Sequence, residues 1–442
     1  MRQFKYNRQR EFLNRDVIRD EQAQLLAEHI EYCREKSPYY AKMCNHVPVA
    51  TAANSFDILS SMPFTSKDDL SENINYFVAA PECDIRDISF SSGTTGAPLP
   101  IVYTENDLRR LAYNEQKAFM ACGMTPLDKI LLTCTMDRCF IAGLAYREGA
   151  RAVGASVIRN GLNSLESHAG IIAAIKPSII IGVPSFLKKL IKFLTSENID
   201  PGFVKKLICI GEPVRNSNCQ LSLPGSLLEE AWDAKVYSTY ASSETITSFC
   251  DCEAGCGGHL HHDLAILEII DDNGNQCGPG EQGEVVITPL QMEGMPLLRF
   301  KTGDISQYFD EKCACGRSTP RLGPIAGRKQ QMMKISGTTV YPETVFSCLE
   351  ALPGIIDYYI IAQSHDGHLT QAEVTVSISS DSTLTVETLS NRIAATARVR
   401  LPVAIKPYEQ VCQQIFPGAS RKPVRFFIVD DKETRHEHSG DN

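Results

Sequence analysis

The sequence predicts an α/β protein: a large N-terminal domain of mainly parallel sheets with a small β-barrel-like part, then a small α+β C-terminal domain. Strand-like and helix-like stretches alternate through the middle of the chain, the pattern that builds parallel sheets covered by helices. After about residue 262, short strands split by glycine-rich turns take over. From about residue 328 a new series of roughly 110 residues begins, close to a common domain size.

Residues from about 18 to 43 read as an amphipathic helix ending near Ser37-Pro38, and a turn-rich stretch follows to Pro81. Strands are expected at 129–133, 155–158, 178–182 and 206–210. Helices are expected at 164–176 and at 185–195, the second opened by Pro184-Ser185. Parallel sheets of this kind bind ligands in crevices at the carboxyl ends of their strands. Residues 268–270, 283–287 and 297–300 read as the antiparallel strands. The second domain should run helix 342–352, strand 356–362, strand 371–378, helix 385–398 and strand 424–429. Residues 435–442 read as a disordered tail.

Of the 442 residues, 43% are hydrophobic and 22% charged, as in globular proteins, and the net charge is -9. With no dominant basic stretch, nucleic acid and anionic membrane are excluded as main partners. The start, Met1-Arg2-Gln3-Phe4-Lys5, lacks the apolar core of a secretory signal, and runs such as Ile179–Ile181 are too short to span a bilayer. A cytoplasmic location is expected, and there the 16 cysteines stay reduced. A homodimer is left open.

Just after the strand-like Asp87–Phe90 comes Ser91-Ser92-Gly93-Thr94-Thr95-Gly96. Glycines let backbone N–H groups approach an anion, and hydroxyls add donors. No lysine follows at the spacing of a Walker loop. By itself the run is either a phosphate cradle or a polar turn. The other motifs are equally open when taken singly. Tyr240–Glu244 is a strand end with a capping glutamate, Gly211-Glu212-Pro213 and Thr302-Gly303-Asp304 are turns, and Lys422 sits in a basic turn. Cys250, Cys252, Cys256, His259, His261 and His262, with Cys313-Ala314-Cys315-Gly316 further on, offer the thiolate and imidazole donors of a structural Zn²⁺ site.

Together these motifs resemble the adenylate-forming superfamily of acyl-CoA synthetases, and within it the phenylacetate–CoA ligase subfamily. Lys36–Tyr40 and Met62–Leu70 are typical of the subfamily. Tyr240-Ala241-Ser242-Ser243-Glu244, Arg299–Asp304, Gly327–Met332 and Pro417–Arg425 are similar to later motifs. The resemblance implies a domain of residues 1–327 that binds ATP and acid, and a mobile domain of residues 328–442. It implies an ATP-dependent carboxylate–CoA ligase that works through an acyl-adenylate, on an aryl or arylacetic acid such as phenylacetate. ATP, coenzyme A, Mg²⁺ and a structural Zn²⁺ are the implied cofactors.

By the same resemblance, residues 91–96 and Ser243 contact phosphate, and Tyr240 stacks on adenine. The turn Gly211-Glu212-Pro213 lines the adenine pocket. Glu244 holds Mg²⁺, Asp304 binds the ribose, and Arg328 reaches ribose or phosphate. Lys422 is the catalytic lysine, and Ser336-Gly337 face the CoA thiol channel. Ala97 and Leu99 flank Pro98 where many relatives carry a lysine, and Gln330 stands at the hinge. Phe140, Gly143, Ala145 and Ala241 are assigned to the acid pocket, where Arg147 either holds a polar substituent of the acid or, the favoured reading, makes a surface ion pair. Cys252, His259, Cys313 and Cys315 are the favoured zinc ligands, with Cys250, Cys256 and His261 as alternates. Two other readings stay open: acyl transfer to a carrier-protein thiol or an amine, and a non-catalytic nucleotide-binding protein.

Overall fold

The computed structural model describes residues 4–91, 99–365, 368–416 and 423–430. It divides into two compact units, Met1–Ile325 and Ala326–Asn442. The expected tail at 435–442 lies outside the described residues.

The first unit opens with α1 (Arg15–Lys36) and α2 (Pro38–Met43). The helix ends near Ser37-Pro38 as expected, because Pro38 has no N–H to continue the ladder, and Pro38 instead begins the short α2 that carries the chain to Met43. The expected turn-rich stretch holds two helices, α3 (Ser55–Ser61) and α4 (Lys67–Phe77). Their sequences are polar, but Ser66 and Asp69 form a reciprocal capping box that satisfies the first turn of α4. Leu70 and Phe77 of α4 are fully buried.

Strands β1 (Ile85–Phe90) and β2 (Pro100–Thr104) pair antiparallel and flank the serine–glycine loop. Thr104 caps α5 (Glu105–Ala121). A regular alternation follows: β3 (Lys129–Leu132), α6 (Ile141–Val153), β4 (Ser156–Arg159), α7 (Leu165–Ile175), β5 (Ile179–Gly182) and α8 (Pro184–Ser196). It ends with β6 (Lys206–Ile210), α9 (Leu223–Trp232), β7 (Lys235–Ser242) and β8 (Thr247–Cys250). The sheet order is β4-β3-β5-β6-β7-β8, parallel except for the β7–β8 pair. Continuous apolar strands such as Ile179–Ile181 are buried on both faces, as a parallel sheet between helices requires.

The short strands come next: β9 (Gly258–His259), β10 (Ala265–Ile270), β11 (Gly283–Pro289), β12 (Phe300–Ser306), β13 (Tyr308–Phe309) and β14 (Arg321–Leu322). All their pairings with one another are antiparallel. The strand expected at 297–300 starts only at Phe300, since Arg299 has a left-handed backbone (φ 47°) that interrupts an extended run.

In the second unit, strands Ile355–His365 and His368–Ile378 form the centre of a sheet. It is joined in parallel by Val403–Ile405 and Phe426–Asp430, and packed by helices Pro342–Glu350, Val386–Ala397 and Tyr408–Ile415. The last of these helices was not expected from sequence. Among the described residues, no helix is long and apolar enough to cross a membrane.

One buried charge stands out. Glu115 on α5 is only 2% exposed, and burial pushes its carboxyl up to about 7, with Ser248 and Asn114 offsetting this in part. An unfolded glutamate ionises near its ordinary value, so stability is complete below about pH 4.5 and falls as pH rises towards 7. Glu115→Gln is therefore expected to stabilise the protein above pH 7.5 by on the order of 3 kcal/mol. It should change little near pH 4.5. Urea unfolding at the two pH values checks this.

Candidate active site

The carboxyl end of β7 brings several predicted residues together. The Tyr240 hydroxyl donates to Asp304 Oδ2 at 2.8 Å, joining β7 to β12. Tyr240 is half-buried, with its ring centroid 6.2 Å from that of Phe249. Asp304 is half-exposed, and its backbone N–H donates to the Thr302 hydroxyl. Two carboxylate oxygens on a partly open strand suit a pair of vicinal hydroxyls.

Glu244 follows just after β7. Its Oε2 accepts from the Ser242 hydroxyl at 2.9 Å, and its Oε1 lies 3.3 Å from Lys67 Nζ. A carboxylate that is partly exposed and already ordered at one oxygen fits a hard divalent cation. The β1–β2 pair approaches the same segment. Tyr103 on β2 is buried, its hydroxyl 2.6 Å from Ser89 Oγ and 3.5 Å from the Ser243 carbonyl. Ser91, at the end of β1, donates its N–H to Leu99 C=O at 3.0 Å. Ser92, Gly93, Thr94, Thr95, Gly96 and Lys422 lie outside the described residues.

The turn after Glu244 is held from below. Arg110 on α5 is fully buried and donates to the carbonyls of Leu290 (2.7 Å), Ile246 (2.5 Å) and Leu264. Burial pushes its guanidinium down to about 10, partly countered by Asp107 and Asp263. Carbonyl dipoles from three separate segments thus converge on one charge.

Other predicted residues are placed differently. Gly211 follows β6 with φ 73°, but the Glu212 carboxylate caps α8, accepting from Ser185 N–H at 2.8 Å and Ser185 Oγ at 2.7 Å. Phe140 and Ala241 are exposed. Gly143 instead permits a close approach, since a Cβ there would lie 2.3 Å from the Thr135 carbonyl oxygen. Ala145 is buried in the core. Arg147 contacts Glu148, its neighbour on α6. In the second unit, Ser336 (φ 50°) and Gly337 (φ 80°) form the two-residue tip between paired Ile335 and Thr338. Two consecutive positive φ angles are what such a hairpin turn needs. Arg328 also belongs to this unit.

The cysteine–histidine set converges. One donor atom from each of Cys252, His259, Cys313 and Cys315 lies within 4.8 Å of the others. Cys252 and Cys313 sulfurs are 3.6 Å apart, and Cys315 Sγ is 3.3 Å from His259 Nε2. A tetrahedral site with Zn–S bonds of about 2.3 Å requires neighbouring sulfurs roughly 3.8 Å apart. The donors therefore fit Zn²⁺ in kind, number and spacing. His259 Nδ1 is held 3.1 Å from Thr319 Oγ1, which orients Nε2 inward. Burial raises the Cys315 thiol, but His259 and Arg317 outweigh it and leave the thiol below its ordinary value. Arg317 pairs in turn with buried Glu11 at 2.7 Å, tying the N-terminal segment to the knuckle. Of the alternates, Cys256 lies 3.4 Å from Cys313 Sγ, Cys250 faces Cys122, and His261 is buried without joining the group.

Residues 17–294 match the AMP-binding enzyme family. The chain is 30% identical over 381 residues to a phenylacetate-coenzyme A ligase of Thermus thermophilus, covering 85% of this chain and 84% of that one. The chain belongs to the AMP-binding enzyme family. Within it, the chain is an AMP-forming acid–coenzyme A ligase of the phenylacetate-coenzyme A ligase branch. A phenylacetate-coenzyme A ligase of Escherichia coli K12 is 27% identical over 393 residues, covering 84% and 85% of the two chains. The fold of the ligase is shared with a solved 2-hydroxyisobutyryl-CoA ligase, at a TM-score of 0.82 and 19% identity over 99% of this chain and 96% of that one.

Lys67, Tyr103 and Arg110 were not singled out from sequence. Lys67 sits inside the Met62–Leu70 segment that carries the resemblance, but its partner Glu244 is remote in sequence. Arg110 lies on α5, where no helix was placed from sequence, and its carbonyl partners are remote in the chain.

Proposed function

We propose that the ligase acts on an aryl or arylacetic acid such as phenylacetate, in two steps. A carboxylate oxygen attacks the α-phosphorus of ATP, the bond to pyrophosphate breaks, and an acyl-adenylate forms. The CoA sulfur then attacks the acyl carbon, the bond to AMP breaks, and the thiol proton leaves to solvent. The grouping of Tyr240, Asp304 and Glu244 around the end of β7 supports this reading most strongly. Asp304 and Arg328 hold the ribose, and the loop at 91–96 with Ser243 holds phosphate. Glu244 holds Mg²⁺, which when bound screens the phosphate charge. Lys422 bridges carboxylate and α-phosphate as charge develops, and the Ser336–Gly337 tip meets CoA. The two roles fall on separate segments of residues 328–442, so this domain serves both steps by turning. The aryl preference rests on relatives named for phenylacetate and for hydroxybenzoates.

A panel of carboxylic acids, read by ATP-dependent pyrophosphate release and CoA-dependent AMP release, tests the proposal. Aryl and arylacetic acids should be preferred, CoA should accelerate AMP release, and Lys422→Ala should slow adenylate formation by about 10²–10³. An acyl-adenylate that forms but ignores CoA would show a different acceptor.

Cys252, His259, Cys313 and Cys315 would hold a structural Zn²⁺, whose closed set of ligands braces the loop after β8. The reduced thiols this requires suit a cytoplasmic enzyme. Elemental analysis should find one zinc per chain. Cys313→Ser should lose it and lower the melting temperature by several degrees, as expected for a lost structural metal. Wild-type protein without zinc would contradict the assignment.

A further inference from the structure

We propose that Lys67 binds the β- and γ-phosphates of ATP, supplying the cation that the loop around Pro98 lacks. This rests on the ATP-dependent reading of the site. Lys67 is the first residue of α4, its side chain is 40% exposed, and its Nζ lies 3.3 Å from Glu244 Oε1.

The root of this side chain is fixed on the strand that carries the ribose ligand. Thr65 N–H donates to Arg299 C=O at 3.1 Å, Lys301 N–H donates to Thr65 C=O at 2.8 Å, and the Thr65 hydroxyl donates to Leu298 C=O at 2.9 Å. The Arg299 guanidinium grips the carbonyls of Ser60 and Met62, both at 2.9 Å, while Glu268 holds its other edge at 2.8 Å. The Ser66–Asp69 capping box then sets the direction of the next residue, Lys67. Arg299 is thus a positioning residue. It ties the backbone before Lys67 to β12, while the lysine tip reaches Glu244.

An ammonium held this firmly at its base, and paired among the described residues with one carboxylate at its tip, is suited to a second anion. A partly exposed ion pair is weak, so the pair opens readily. Once Glu244 ligates the divalent ion of the nucleotide, it no longer needs the ammonium. Lys67 is then free to turn to phosphate oxygens beside that ion, as a point charge with three donors. AMP has no β- or γ-phosphate, so Lys67 should discriminate between the two nucleotides.

Calorimetric titration of the full-length wild type, Lys67→Ala and Lys67→Arg with Mg·ATP and with AMP tests this. Lys67→Ala should weaken ATP binding roughly 10- to 100-fold, the size expected for a hydrogen bond between charged groups. AMP affinity should stay within about twofold, and Lys67→Arg should recover most of the ATP affinity. Equal ATP affinity in wild type and Lys67→Ala would overturn the proposal, as would an equal loss for both nucleotides. A wild type that binds neither nucleotide would instead overturn the ATP reading itself.

Discussion

The buried guanidinium of Arg110 is the interaction on which the site depends. It sits on the helix that directly follows β2, and it binds the backbone of the turn after Glu244, of the segment before β10 and of the end of β11. A charge taken fully out of water is costly unless polar groups surround it. Here the surrounding groups are backbone carbonyls at irregular points of the chain. The same contacts therefore satisfy the arginine and fix the loop that carries Glu244. Asp107, one turn earlier, does the complementary task by accepting the N–H groups of Glu293 and Gly294.

Above this buried layer the site is built from strand ends. Tyr240 links β7 to Asp304 on β12, Ser242 orders Glu244, and Tyr103 lies between Ser89 and Ser243. The Tyr240–Asp304 and Tyr103–Ser243 contacts join segments far apart in sequence, so the geometry of the site depends on the fold as a whole. The cysteine–histidine knuckle adds a second anchor on the same stretch. It joins the loop after β8 to residues 313–315 and, through Arg317 and Glu11, to the N-terminal segment.

The parallel sheet was legible because its strands are short apolar runs with clear helices between them, and Lys206–Ile210 falls where it was expected. Helix α4 was not, since its stability comes from a capping box and from Leu70 and Phe77 meeting a distant core. Strand β12 was displaced because Arg299 is apolar-flanked and looks extended, whereas its tertiary bonds hold it left-handed. At the site, Glu244 and Asp304 were readable from motifs. Tyr240 was readable too, but its bond to Asp304 and the contact of Lys67 with Glu244 became visible only when the chain brought them together. Glu212 shows the converse: a residue in a nucleotide-lining motif whose carboxylate is occupied in capping α8.

The central claim is that Glu244 is the carboxylate around which Mg²⁺ and the nucleotide phosphates assemble. The most direct measurement is acid-dependent pyrophosphate–ATP exchange by Glu244→Gln as a function of Mg²⁺ concentration, alongside its urea unfolding midpoint. The account requires exchange to fall by at least about 10² at ordinary Mg²⁺, with the midpoint unchanged and the Mg²⁺ requirement raised. Exchange at the wild-type rate and Mg²⁺ dependence would contradict it.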